Sequence, residues 1–355
     1  MAYKAAVVGA AGFAGIELTR LLISHPAFEL AAITSDALAG KPLSAAYPAF
    51  AGVTDLSFSA NDEADLASCD VVFLAVPHTA ALALAPGLVE RGVTVIDLSA
   101  DFRLKDPAVY EEWYKVPHTA PDLLKQAAFG LPELMRDELG RVAAAHASGE
   151  AVLVGCAGCY PTATSLAAAP AISAGLVSST APIVVDAISG VTGAGKKATE
   201  RTHFCFANEN LEAYGVGTHR HTPEIEQILG IEGRLVFTPH LAPLSRGLLS
   251  TVNLPLAADV PLPQAEELVA RYEQFYAASP LVSVLPAGTM PKTSSVAGTC
   301  RAQIGVAVHK RARMIIAVGA IDNLGKGAAG QALQCANIVF GLPEQTGLDL
   351  VAMPV

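Results

Sequence analysis

Lys4-Ala5-Ala6-Val7-Val8-Gly9-Ala10-Ala11-Gly12-Phe13-Ala14-Gly15 opens the chain on an apolar run that breaks into three evenly spaced glycines. Ile16, Leu18, Leu21, Leu22 and Ile23 follow as one face of a helix. Glycines alone carry little weight. A strand, a glycine turn and a helix in that order form G-x-x-G-x-x-G, a variant of the dinucleotide fingerprint. In it the backbone approaches a pyrophosphate lying on a helix N-terminus. Gly9, Gly12, Phe13, Ala14 and Gly15 are the candidate contacts.

The pattern continues downstream. Phe28 to Thr34 reads as a second strand and ends at Ser35-Asp36. An acid there accepts hydrogen bonds from the ribose diol of NAD, whereas a serine with a nearby cation suits a 2′-phosphate. Ser35, Asp36 and Lys41 offer both chemistries, and residue type leaves the choice open. Asp70 to Val76 is a continuous apolar run that ends at Pro77-His78, and a helix over 79–91 returns the chain to Val93–Ser99. Strands alternating with helices of this length predict a doubly wound parallel sheet, with ligands outside the carboxyl ends of its strands. Pro77, His78 and Ser99 stand at those ends, His78 most simply as a strand-end cap. Arg103 follows closely and suits bidentate capture of phosphate or carboxylate. A surface ion pair with Asp101 or Asp106 is the plainer use of that side chain. Residues 104–150 read as loops and short helices.

Gly155-Cys156-Ala157-Gly158-Cys159-Tyr160-Pro161-Thr162 comes after a short strand at Ala151–Val154 and before a helix starting near Thr164. Cys159 therefore stands near a strand-to-helix junction, where helix N–H groups favour thiolate over thiol. That is what a nucleophile needs. A buried structural cysteine is the competing reading. Beyond it, strands at 182–188, 234–238, 247–256, 301–308 and 314–320, with one amphipathic helix at 263–277, suggest an α+β domain with a mixed, largely antiparallel sheet. Ser189 to Lys197 is a glycine-rich, cationic loop. Gly217-Thr218-His219-Arg220-His221-Thr222-Pro223-Glu224-Ile225 gathers imidazoles, a guanidinium and a carboxylate, with Thr222 as a helix N-cap and Pro223 in the first turn.

Bulk properties narrow the function. With 355 residues, 52% of them hydrophobic, the chain can fill two cores. A net charge of −10 argues against nucleic acid as partner. Six scattered cysteines suit a reducing cytoplasm, and no run approaches the ~18 apolar residues of a membrane span.

The motifs from Gly9 to Gly15, Ser99 to Arg103, Gly158 to Thr162, Ser189 to Lys196, His219 to Glu224 and Asp322-Asn323-Leu324-Gly325-Lys326-Gly327-Ala328-Ala329-Gly330-Gln331-Ala332 span the chain. It resembles the N-acetyl-gamma-glutamyl-phosphate reductases, NADPH-dependent enzymes of arginine biosynthesis related to aspartate-semialdehyde dehydrogenase. The resemblance implies Cys159 as nucleophile and His219 as its acid/base partner, with His221 two residues along as the alternative. It implies Arg103 and Glu224 in the substrate site, beside Arg220 and His221. It places the nicotinamide near Ser189, Gly190 and Asn323, and tips the cofactor towards NADP through Ser35 and Lys41. Relatives often carry Arg soon after that Ser, where Asp36 and Ala37 stand here, and often Asn-Pro or Val-Pro where Cys156-Ala157 stand.

The implied reaction is reduction of an acyl phosphate through a cysteine thioester, with His219 as imidazolium steadying the thiolate. A Rossmann-type domain is expected over 1–155 plus 327–355, and a catalytic, oligomerisation domain over 156–326. A homodimer or homotetramer without a metal is expected. Competing readings are a C-x-x-C dithiol protein, a zinc enzyme using His219 and His221, and a nucleotide-sensing protein. Within the same chemistry they are aspartate-semialdehyde dehydrogenase and N-acetyl-aminoadipyl-phosphate reductase.

Overall fold

Strands β1 (Tyr3–Val8), β2 (Phe28–Thr34), β3 (Phe58–Ser59), β4 (Val71–Leu74), β5 (Thr94–Asp97), β6 (Ala128–Gly130) and β7 (Leu153–Cys156) lie parallel in the order β3-β2-β1-β4-β5-β7-β6. The computed structural model describes residues 2–354. This sheet belongs to a first unit that runs to Ala157 and resumes over Ala328–Leu348. The strand order reverses between β1 and β4, the switch point outside which ligands of doubly wound sheets bind.

Two glycines make that end of the sheet possible. Gly9 has φ +81°, and a Cβ there would run into the Ala75 carbonyl just past β4. A Cβ at Gly15 would run into the Gly9 carbonyl, so the turn and the helix Phe13–Ile23 close tightly. Behind the sheet, Val8, Val72, Leu74, Leu88, Val95 and Phe102 belong to one buried apolar cluster.

The stretch 104–150 is more regular than its sequence suggests. It holds β6 and a twelve-residue helix, Arg136–Ala147. Only Leu139 and Val142 of that helix are buried, too thin a stripe to register as a period. The strand before Cys159 also starts later than expected, at Leu153.

The second unit comprises Gly158–Gly327 and the tail from Asp349. Its strands are β8 (Ile183–Gly190), β9 (Glu212–Ala213), β10 (Leu235–Ala242), β11 (Leu248–Pro255), β12 (Val282–Val284), β13 (Ala302–His309) and β14 (Met314–Ile321), in the order β12-β13-β14-β11-β8-β10-β9. Pairings β8·β10 and β12·β13 are parallel and the other four antiparallel, so the sheet is mixed as its patterning predicts. Alternate residues of β11 are buried, which leaves its other face half open.

Helix Cys159–Ser173 lies on β11 and β14. Gly319 of β14 admits it, since a Cβ there would sit 2.6 Å from the Ala163 carbonyl oxygen. Thr164 Oγ1 and Ser250 Oγ share a buried hydrogen bond at 2.8 Å. From the far side, Tyr272 Oη donates to the Ala167 carbonyl at 2.9 Å and Tyr276 Oη to that of Leu166 at 2.6 Å. Every residue from Tyr160 to Ala171 is buried as a result. A helix covered on all sides has its first residue fixed in space.

Candidate active site

Cys159 is that first residue, half-buried where Tyr160 to Ala171 are covered. Gly158 is the N-cap, and its own N–H is taken by Glu224, whose Oε1 accepts it at 2.8 Å. Glu224 is 1% exposed. A buried carboxylate on a helix N-terminus is favoured by the helix dipole, so it pins the start of the cysteine helix. The tyrosine N–H at position 160 has no intrahelical acceptor in this first turn, and proline follows at 161. That leaves a donor beside the sulfur.

His219 sits in a cage of rings. Its centroid is 5.6 Å from Tyr160, 5.4 Å from Tyr214, 5.4 Å from Phe237 and 4.9 Å from His221. Burial, and then the Arg220 charge, push its pKa down to about 4. The His221 backbone N–H donates to His219 Nδ1 at 3.1 Å. A backbone N–H can only donate, so Nδ1 is bare and the neutral ring carries its proton on Nε2. The expected imidazolium is corrected accordingly: an imidazole in this cage is neutral at ordinary pH.

Two phenols relate the sulfur to the imidazole. Tyr214 Oη donates to Tyr160 Oη at 3.2 Å, and Tyr160 Oη donates to the His240 carbonyl at 3.0 Å. Burial raises both phenol pKa values, Tyr214 to about 12, and the charge of a Cys159 thiolate pushes each further up. The sulfur is thus within electrostatic reach of both hydroxyls. Arg201 lies over the outer face of Tyr214, 5.4 Å from its centroid.

His221 is the N-cap of helix Thr222–Leu229, one residue earlier than the expected Thr222, and Pro223 falls in its first turn. Arg220 is exposed. Ser189, Gly190 and Asn323 come together at the end of β8. A Cβ on Gly193 would lie 2.9 Å from Ser189 Oγ and 3.7 Å from Asn323 Nδ2. Asn323 is held at both ends, accepting from the Gly247 N–H at 2.9 Å and donating to Thr192 Oγ1 at 2.9 Å.

In the first unit, Arg103 is 7% exposed and donates to the Cys156 carbonyl at 2.6 Å and the Leu98 carbonyl at 2.8 Å. It therefore steadies the backbone that leads to Cys159. The competing Asp101 partner instead accepts from the Thr79 N–H and the Tyr110 hydroxyl, each at 2.8 Å. Ser99 Oγ donates to Asp97 at 2.8 Å, so this hydroxyl shapes the turn after β5. Burial raises the Asp97 pKa to about 7. Pro77 and Lys41 are exposed. At the glycine turn, the first-turn N–H groups of Phe13, Ala14 and Gly15 lie ahead of any intrahelical acceptor, and the N-cap, Gly12, offers no side chain. That vacancy of donors fits a pyrophosphate.

Gly327 was legible only as part of a motif. It lies in a π-helical turn, Gly325–Ala329, a form frequent at functional sites. A Cβ there would meet Cys159 Cβ at 2.7 Å. Gly327→Ala is expected to cost about 1–3 kcal/mol in urea unfolding and to change the alkylation rate of Cys159. A variant with the wild-type midpoint and rate would show that the close approach does not matter.

Residues 4–142 match the family described as "Semialdehyde dehydrogenase, NAD binding domain", and residues 159–323 match "Semialdehyde dehydrogenase, dimerisation domain". The N-acetyl-gamma-glutamyl-phosphate reductase of Symbiobacterium thermophilum is 47% identical over 360 residues, covering 100% of this chain and 99% of the other. The enzyme of that name from Desulforamulus reducens is 46% identical over 355 residues, covering 99% of each. Among solved structures, aspartate semialdehyde dehydrogenase II of Vibrio cholerae aligns with a TM-score of 0.71 at 17% identity, over 96% of this chain and 98% of that one. Aspartate semialdehyde dehydrogenase of Candida albicans, solved with NADP, also gives 0.71, at 18% identity over 96% and 98%. These two likenesses concern the fold.

Proposed function

The chain belongs to the N-acetyl-gamma-glutamyl-phosphate reductases of the semialdehyde dehydrogenase superfamily, and on that premise we propose that it reduces N-acetyl-gamma-glutamyl phosphate to the semialdehyde with release of phosphate. It is an oxidoreductase, and the pathway that fits is arginine biosynthesis. The observation that carries the site assignment is Cys159, half-buried at the start of a helix covered from Tyr160 to Ala171, with the caged His219 beside the next residue's ring.

The steps follow from these side chains. Cys159 Sγ, favoured as thiolate by the helix start, attacks the acyl carbon. The C–O bond to phosphate breaks, and phosphate takes its proton from water, leaving a thioester on Sγ. When bound, the reduced nicotinamide supplies a hydride. The C–S bond then breaks, its electron pair returns to Sγ and the aldehyde departs. The Tyr160 N–H and the His219 Nε2–H are the proposed donors to the oxygen that carries negative charge in both halves. Neither gives up its proton. Glu224 holds Gly158 and Arg103 holds Cys156, so both position the nucleophile. Arg220 and His221 are proposed to receive the anionic ends of the substrate.

Gly9, Gly12, Phe13, Ala14 and Gly15 would hold the pyrophosphate of the cofactor, and Ser189, Gly190 and Asn323 the nicotinamide. NADP, with Ser35 and Lys41 at its 2′-phosphate, is the proposed form. Semialdehyde dehydrogenases of this kind associate through the region matched over 159–323, and a homodimer or homotetramer is proposed. No helix among the described residues is long and apolar enough to cross a membrane. A cytoplasmic setting is proposed, where thiols stay reduced.

The decisive assay runs the reaction backwards. Phosphate-dependent reduction of NADP by N-acetylglutamate semialdehyde is expected to exceed that by aspartate semialdehyde, and to exceed that with NAD. Preference for aspartate semialdehyde would reject the substrate, and phosphate-independent turnover would reject the acyl-phosphate chemistry.

A further inference from the structure

The ends of β2 and β3 carry a hydrogen-bond chain that the reaction itself does not use. The Gly9 N–H donates to Thr34 Oγ1 at 3.4 Å, and Thr34 Oγ1 donates to Asn61 Oδ1 at 2.5 Å. Asn61 then engages Asp36 twice: its backbone N–H donates to Oδ1 at 2.8 Å and its Nδ2 to Oδ2 at 2.7 Å. The strands are in register here, with Thr34 opposite Ser59, so Asn61 two residues on reaches the acid just past β2. The Ser35 N–H donates to the Ser59 carbonyl at 3.0 Å and fixes the intervening turn.

Asp36 occupies the place where an acid ordinarily accepts from a ribose diol and so selects NAD over NADP. Here both of its oxygens are already engaged by one neighbour in a two-point clamp. We infer that Asn61 is the residue that sets dinucleotide preference, by holding the Asp36 carboxylate so that it does not read the ribose and Ser35 and Lys41 are left to meet a 2′-phosphate. The inference rests on the dinucleotide reading of the glycine turn. It explains how an acid at the end of β2 coexists with a cofactor that an acid normally rejects.

The clamp predicts what happens when it is cut. In Asn61→Ala, Asp36 keeps the backbone N–H of position 61 on Oδ1 but loses the side-chain donor on Oδ2, so the carboxylate can turn, gains acceptance of the diol and brings its charge closer to a 2′-phosphate. Calorimetric titration of the whole protein with NADP and with NAD reads this without turnover. The wild type is expected to bind NADP more tightly. Asn61→Ala is expected to move the ratio of the two dissociation constants about tenfold towards NAD. In the Asp36→Ala background the same substitution is expected to leave the ratio unchanged, since no carboxylate remains to release. An unmoved ratio in Asn61→Ala, or an equal movement in both backgrounds, would overturn the inference. Asn61→Leu repeats the test with a side chain of similar size, should the alanine variant fold poorly. A wild type that binds neither dinucleotide would instead reject the cofactor reading beneath it.

Discussion

Cys159→Ser is expected to lower turnover by roughly 10⁴–10⁶-fold, as loss of a nucleophile does elsewhere. A hydroxyl at the same helix start stays protonated, because its pKa lies far above that of a thiol, so neither the dipole nor the Tyr160 N–H can make it a nucleophile. Dinucleotide binding should persist, since serine is no larger than cysteine and none of the proposed cofactor contacts is altered. Calorimetric titration alongside the kinetics separates the two effects. A second readout needs no turnover: wild-type protein given semialdehyde and oxidised dinucleotide without phosphate should accumulate an acyl adduct on the peptide containing Cys159. Cys156 is only 1% exposed and should stay unmodified, and Cys156→Ala should remain active, against a dithiol mechanism. A serine variant that turns over within about tenfold of the wild type, or an adduct found only elsewhere, would remove the nucleophile from the scheme.

What could be read from sequence, and what could not, follows from the range of the interactions. Lys4 to Gly15 declares its fold locally, because an apolar strand, a glycine turn and an amphipathic helix are all short-range signals. The strands of the second sheet show as well, since each carries its own alternation. The Arg136–Ala147 helix escaped because it buries only two apolar side chains. Cys159 and His219 could be picked out by chemistry and motif, but not what their neighbours do. Glu224 meets Gly158 across 66 positions, and nothing in His-Arg-His-Thr-Pro-Glu tells a buried helix anchor from a substrate ligand. Ser99 is another such case, its hydroxyl spent on Asp97 inside the turn. Tyr160 and Tyr214, which frame the imidazole, lie 54 positions apart, and Asn61 reaches back 25 to Asp36. The protonation of His219 was misread for the same reason. Its proton is governed by the ring cage and by a backbone N–H two residues on, and neither is a property of histidine as a residue type.

His219→Ala should cost about 10²–10³-fold in turnover, the usual loss of one donor to a developing oxyanion, whereas His219→Gln should recover to within about tenfold of the wild type. Glutamine offers a neutral N–H at a similar reach but cannot serve as acid or base near neutrality, so the pair distinguishes hydrogen-bond donation from proton transfer. The pH dependence provides an independent check. An imidazolium acid would lose its proton, and the enzyme its activity, as pH rises through about 6.5. With the pKa near 4, set by burial and by Arg220, the ring is neutral from about pH 5 upward and keeps its Nε2–H there. No falling limb near 6.5 should then belong to His219, and the limbs that Cys159 and the substrate impose should survive in His219→Gln. Stability follows the same sign. The folded pKa lies below the ordinary value of 6.5, so the contribution of the neutral ring is whole above that value and is lost as pH falls from there towards 4. Nitrogen NMR of the labelled imidazole reads the tautomer directly, expecting a bare Nδ1 and a protonated Nε2 at pH 7. A glutamine variant as poor as alanine, together with a wild-type limb near 6.5 that vanishes on substitution, would return His219 to proton transfer and require the His221 N–H to let go of Nδ1 during the cycle.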